Sequence, residues 1–168
     1  SILKTKKIAF KFKQKKIILI STISSRIEKN TYGMHRKECE DIILNANKNN
    51  LIVRLPVIYS SKHKRGILFD IINSNKIYLD TKCKLNPIHI DQFSLYLSKN
   101  IEQKGITEFG SAQDIELGKL IKLVNSKSIA KGKIMDLISL KNNQHLPEIS
   151  IFLKKFIKIN SFLNKNET

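Results

Sequence analysis

Two short, almost unbroken apolar runs, Ile17-Ile-Leu-Ile20 and Leu51-Ile-Val-Arg-Leu55, bracket a segment with a different periodicity. Runs of this length without polar alternation suit strands buried on both faces. Between them, residues 32–48 place Met34, Cys39, Ile42, Ile43 and Ala46 at helical spacing, with Arg36, Lys37, Glu38, Glu40 and Asp41 turned mostly outward. Asn49-Asn50 ends that helix, and Pro56 stops the second run. Strand, helix and strand joined by short connections make a βαβ unit, and therefore a parallel sheet. The fold class expected is α/β.

The remaining pattern fits that frame. Residues 2–14 predict a helix, 67–72 a short helix, 76–79 a strand and 88–90 a brief strand. A helix follows over 91–100 with Asp91 as its N-cap, then a strand at 106–109 and a helix at 115–124. Pro147 precedes a further helix expected at 149–162. No run approaches 18 uncharged apolar residues, so a transmembrane helix and a membrane partner are not expected.

Charge narrows the partner classes less than its size suggests. The 168 residues carry 31 Lys and Arg against 14 Asp and Glu, a net charge of +17. Arginine occurs only at 26, 36, 54 and 65, and lysine is spread through a chain rich in Ile and Asn. Nucleic-acid surfaces favour arginine forks and stacking aromatics, so a nucleic-acid partner is not expected, although the charge does draw in anionic substrates. Cys39 and Cys83 are too few for a disulfide framework, and no Cys/His spacing recurs that would suit a metal. The compartment expected is the cytoplasm.

The candidate chemistry lies at the end of the first strand. Ser21-Thr22 closes that run, and Tyr32-Gly-Met-His-Arg36 opens the helix ten residues later. A phenol is a weak acid near neutrality, but a cation four residues on shares its helix face and favours a phenolate. A hydroxyl from the neighbouring strand end can hold a substrate oxygen beside it. Thr22, Tyr32 and Arg36 thus form a candidate proton-transfer site.

Five segments in order extend this reading: Ile20-Ser-Thr-Ile-Ser-Ser25, Tyr32-Gly-Met-His-Arg-Lys-Glu-Cys-Glu40, Leu51-Ile-Val-Arg-Leu-Pro-Val-Ile-Tyr59, Asn86-Pro-Ile-His-Ile-Asp91 and Phe109-Gly-Ser-Ala-Gln-Asp-Ile-Glu-Leu-Gly118. Together they resemble the later part of the extended short-chain dehydrogenase/reductase family, the NAD(P)-dependent epimerases and dehydratases of nucleotide sugars. The resemblance implies a truncated Rossmann-like parallel sheet with a small substrate-binding lobe from about residues 60–87 and 101–125. It implies a partial epimerase/dehydratase domain over 1–125, followed by a helical extension over 126–168. By resemblance Thr22 binds the sugar hydroxyl, Tyr32 is the general acid/base, and Arg36 stands where the family has a lysine that contacts the nicotinamide ribose. Pro56, Val57 and Ile58 are implied cofactor contacts beside Tyr32 and Arg36, and Tyr59 and Ser60 substrate contacts beside Thr22. The implied cofactor is NAD or NADP and the implied substrate a nucleotide sugar.

Two departures qualify these expectations. Arginine cannot copy a compact ammonium's contact to a ribose. No GxxGxxG or GxGxxG occurs among the six glycines, so the loop that cradles a dinucleotide pyrophosphate has no counterpart. The expectation is therefore a partial or degenerate enzyme of this family, partnered by itself as a homo-oligomer or by a complementing N-terminal fragment. A non-catalytic pseudoenzyme or binding module is the alternative, and a basic polyanion-binding domain a more distant one.

Overall fold

The computed structural model describes residues 1–27, 30–60 and 65–139. Its centre is a three-stranded parallel sheet of β1 (Ile18–Thr22), β2 (Leu51–Leu55) and β7 (Gly105–Glu108), in the order β1-β2-β7. Ile18 lies opposite Leu51 and Thr22 opposite Leu55, while Leu51 faces Gly105 across the other edge. All five residues of β2 are buried. The parallel unit expected from the two apolar runs is present.

Alternation along β2 explains the layers. Ile52 packs with Ala9 of α1 (Ile2–Lys11) and Ile43 of α3 (Thr31–Ala46) on one face. Leu51, Val53 and Leu55 pack on the other with Phe109, Ile88 of β6 (Ile88–His89) and Phe93 of α5 (Ile90–Lys99). Helices thus cover both faces, as a buried parallel sheet requires. The first helix stops at Lys11, short of the expected residue 14. α2 (Ser24–Ile27) is a single turn in a stretch that read as loop.

The lobe is built from small pieces. β3 (Ile58–Tyr59) pairs in parallel with β6, β4 (Ile77–Leu79) in parallel with β9 (Ala130–Lys133), and β5 (Lys84–Leu85) antiparallel with β8 (Ile115–Glu116). α4 (Ile67–Ile72) and α6 (Leu117–Leu123) close it around Leu68, Ile71, Ile77, Cys83, Leu85, Leu117 and Leu120.

Three expectations change here. His89, not Asp91, caps α5: its Nδ1 accepts from the Asp91 N–H at 3.3 Å, and the Gln92 side chain accepts from the His89 N–H at 3.1 Å. The helix expected from Ile115 starts at Leu117, because Ile115 and Glu116 are taken up pairing with Leu85 and Lys84. Residues 126–139 are not the start of a helical extension. Ala130–Lys133 instead pairs with β4, and Gly132 permits it: a Cβ there would come within 2.1 Å of the Tyr78 carbonyl oxygen. The helix expected at 149–162 lies outside the described residues.

Candidate active site

Serine and threonine chemistry shapes the turn after β1. The Thr22 Oγ1 accepts from the Ser24 N–H at 3.3 Å and donates to the Ser24 hydroxyl at 3.4 Å. The Ser25 hydroxyl lies 2.7 Å from the Thr22 carbonyl and shares its one proton between that carbonyl and the Glu40 carboxylate. Such side-chain bonds to nearby backbone replace a β ladder by a tight turn. Asn30 then caps α3, its Oδ1 accepting from the Gly33 N–H at 2.7 Å. Gly33 presses on the segment after β1 so closely that a Cβ would lie 2.3 Å from the Ser24 carbonyl oxygen.

The backbone accordingly gathers the three predicted positions around the carboxyl end of β1. Thr22 is its last residue, and the residue after Tyr32 rests on Ser24. Arg36 reaches back to donate through Nη2 to the carbonyl of Ile20. The gathering is of positions more than of functional groups: the Tyr32 ring is 59% exposed, and no hydrogen bond joins it to Thr22 or Arg36 among the described residues. The Arg36 Nε is buried without a partner. With Nη2 held on a strand carbonyl, this arginine braces the outer edge of β1.

Beneath this edge lies a buried charge network that the sequence reading missed. Glu40 is fully buried, not outward as expected, because α3 turns the face of Gly33, Glu40 and Ile43 inward. Its Oε1 accepts from the hydroxyls of Ser21 and Ser25, each at 2.5 Å. Arg54 grips the same carboxylate, with Nη2 at 2.7 Å from Oε2 and Nε at 3.1 and 3.2 Å from the two oxygens. Arg54 also lies 3.7 Å from Glu108, which binds Arg26 at 2.9 Å. Burial opposes the Arg54 charge, but its bonds to Glu40 and the field of Glu108 hold its proton above the ordinary arginine value. The signal was one arginine inside an otherwise apolar strand, which demands a buried partner. By contrast Met34, expected inward, is 60% exposed.

The other predicted residues divide. Pro56, Val57 and Ile58 follow β2 and are half-buried, with the Val57 carbonyl accepting from the Ile88 N–H at 2.8 Å. Tyr59, expected to meet substrate, is a core residue of the lobe, set edge-on to His89 with ring centroids 5.2 Å apart. Burial pushes its phenol well above the ordinary value. Ser60 is half-buried. Among the described residues no group of three His, Cys, Asp or Glu side chains could hold a metal, and no helix is long and apolar enough to cross a membrane.

A dinucleotide needs a backbone cradle for its pyrophosphate as well as an acid/base end. All six glycines are described, and none forms a turn that leads directly from a strand of the three-stranded sheet into a helix: β3 separates β2 from Gly66, and β8 separates Gly110 from α6. The residues present therefore do not fit a whole dinucleotide.

Solved structures carry the same architecture. UDP-glucuronic acid 4-epimerase from Bacillus cereus, in complex with UDP-glucuronic acid and NAD, superposes with a TM-score of 0.70 at 16% identity, over 96% of this chain and 67% of its own. MoeE5 with UDP-glucose and NAD gives 0.71 at 12% identity, over 95% and 70%. UDP-N-acetylglucosamine 4-epimerase from Methanobrevibacter ruminantium M1, with UDP-N-acetylmuramic acid, gives 0.62 at 11% identity, over 90% and 63%. No family model and no curated protein matches the sequence. The fold is the Rossmann-like α/β fold of these structures. This chain spans about two thirds of the length of these three neighbours, two of which hold NAD.

Proposed function

We propose that the chain is the acid/base and sugar-binding part of an NAD(P)-dependent nucleotide-sugar epimerase or dehydratase. The observation that supports this reading is that the Thr22 and Arg36 side chains and the backbone beside Tyr32 lie around the carboxyl end of β1, in a fold shared with UDP-sugar epimerases. Open parallel sheets bind ligands at that end. In this reading the Thr22 hydroxyl turns from Ser24 to a sugar hydroxyl, and the exposed Tyr32 phenol takes or returns that hydroxyl's proton. Arg36 keeps a positive charge one turn away while bracing β1. These residues offer no pyrophosphate cradle, so this chain by itself binds NAD and NADP weakly. The domain reading becomes a partial epimerase domain whose lobe runs on through β9. Cytoplasmic location accords with two buried, free cysteines.

A non-catalytic sugar-nucleotide binding module is the second reading. It is favoured by the commitment of Arg36 to Ile20 and by the missing glycine-rich turn.

Titration calorimetry of the full chain with UDP-glucose and UDP-glucuronic acid tests both. The expected result is a dissociation constant below about 1 mM, the upper end of ordinary enzyme affinities, weakened several-fold by Thr22→Ala. Absence of heat with either nucleotide sugar would overturn both readings. With NAD raised to a concentration that offsets its weak binding, sugar product seen by NMR and lost in Tyr32→Phe separates enzyme from module.

A further inference from the structure

The start of α3, which bears Tyr32, is held from an unexpected direction. Arg26, on α2 between Thr22 and Tyr32, donates through Nη2 to the Ile138 carbonyl at 2.9 Å while its Nε holds Glu108. Asn30, whose Oδ1 caps Gly33, places its Nδ2 3.8 Å from the Met135 sulfur. Residues 135 and 138 therefore touch two sites on the short stretch that sets the start of α3.

Residues 135–137 of this segment are also fastened to the lobe. The Leu137 N–H donates to the Lys84 carbonyl at 2.8 Å, and the Asn86 N–H donates to the Leu137 carbonyl at 3.2 Å. The Asp136 Oδ1 accepts from the Lys84 N–H at 2.8 Å, and the Met135 N–H points at the Cys83 sulfur at 3.2 Å. The lobe bonds of residues 135–137 thus lie between the two contacts, at Met135 and Ile138, with the residues that lead into α3. A displacement of Cys83–Asn86 has a direct mechanical route to Gly33.

We propose that Arg26 and Asn30 are positioning residues through which the segment 135–138 couples the lobe to the acid/base helix. Filling the lobe then draws Tyr32 into place, and emptying it relaxes the α3 cap. The purpose assigned to the coupling rests on the reading of Tyr32 given above. The coupling itself does not, because it is measured without substrate.

Amide hydrogen exchange of the full chain by NMR tests it, with the Gly33 and Asn86 amides as reporters at either end and Val53 of β2 as control. Coupling is reciprocal, so a change at one end must be felt at the other. Asp136→Ala removes an exposed side chain that touches only the lobe, yet it should speed exchange at Gly33. Arg26→Gln touches only the loop, β7 and Ile138, yet it should speed exchange at Asn86. Each change should be roughly fivefold, the worth of about one hydrogen bond, with Val53 unaffected and Arg26→Lys restoring part of the protection. Two outcomes overturn the proposal. One is a change confined to the mutated end. The other is an equal rise at Gly33, Asn86 and Val53, which would report general destabilisation. Failure to bind a sugar nucleotide would leave either result unchanged, so the two proposals fail separately.

Discussion

At the carboxyl end of the sheet, Glu40, Arg54 and Glu108 are all nearly or wholly buried, whereas the lobe core is built from Leu68, Ile71, Ile77, Cys83, Leu85, Leu117 and Leu120. Every buried charged side chain among the described residues belongs to the sheet half. Apolar packing is undirected and tolerates substitution of similar volume. A buried carboxylate with three bonded partners tolerates neither a shift nor a missing donor. The difference teaches where geometry is held tightly: at the strand ends beside Thr22 and Arg36, and less so in the lobe.

The comparison breaks most directly at Arg54. Arg54→Met should cost about 4 kcal/mol in urea unfolding, because it strands the Glu40 charge without its counter-ion. Adding Glu40→Gln should recover much of that loss, since the network and not the arginine's bulk is at stake. A single-mutant loss below about 1 kcal/mol, the scale of an exposed pair, would mean that packing alone holds the sheet end.

In the lobe, Leu117→Ala should cost about 3 kcal/mol by leaving a cavity. Leu117→Met should cost less than about 1.5 kcal/mol, because it keeps the volume. Equal losses for the two variants would show a lobe as exacting as the sheet end.

The smallest effect sharpens the contrast between buried and exposed ions. Lys37 and Asp41 are 2.5 Å apart at i and i+4 on the outer side of α3, with side chains 31% and 49% exposed. Asp41→Asn should shift stability by no more than about 0.5 kcal/mol and less in high salt. A shift near that of Arg54→Met would remove burial as the deciding variable.

Periodicity exposed the sheet because it is local. The second run became β2 at its expected bounds, Leu51–Leu55, and the helix opening at Tyr32 became α3 within two residues at either end. β3, β5, β8 and β9 were illegible, since two to four residues carry no period and exist only through partners distant in sequence. Of the candidate site, Thr22 and Tyr32 could be placed because each lies at an element boundary, and Arg36 because it follows Tyr32 by one helical turn. The bond from Arg36 to Ile20 could not be read, because it depends on how α3 rests on β1. Glu40 misled for a related reason. A lone carboxylate on a helix reads as solvated until Arg54 and two serines from other elements enclose it.

The Glu40 carboxylate also bears on the order of assembly. Its partners come from β1, α2 and β2, and the parallel register that delivers Arg54 requires Ile18 to find Leu51 across the whole of α3. Until that loop closes, the charge is better served by water than by any one partner. Dehydration of Glu40 must therefore follow strand pairing, and the apolar surfaces of β2 can collapse while the carboxylate is still wet. The last step at this end of the molecule is then the expulsion of water from an ion, and that step completes only when all four elements are in register.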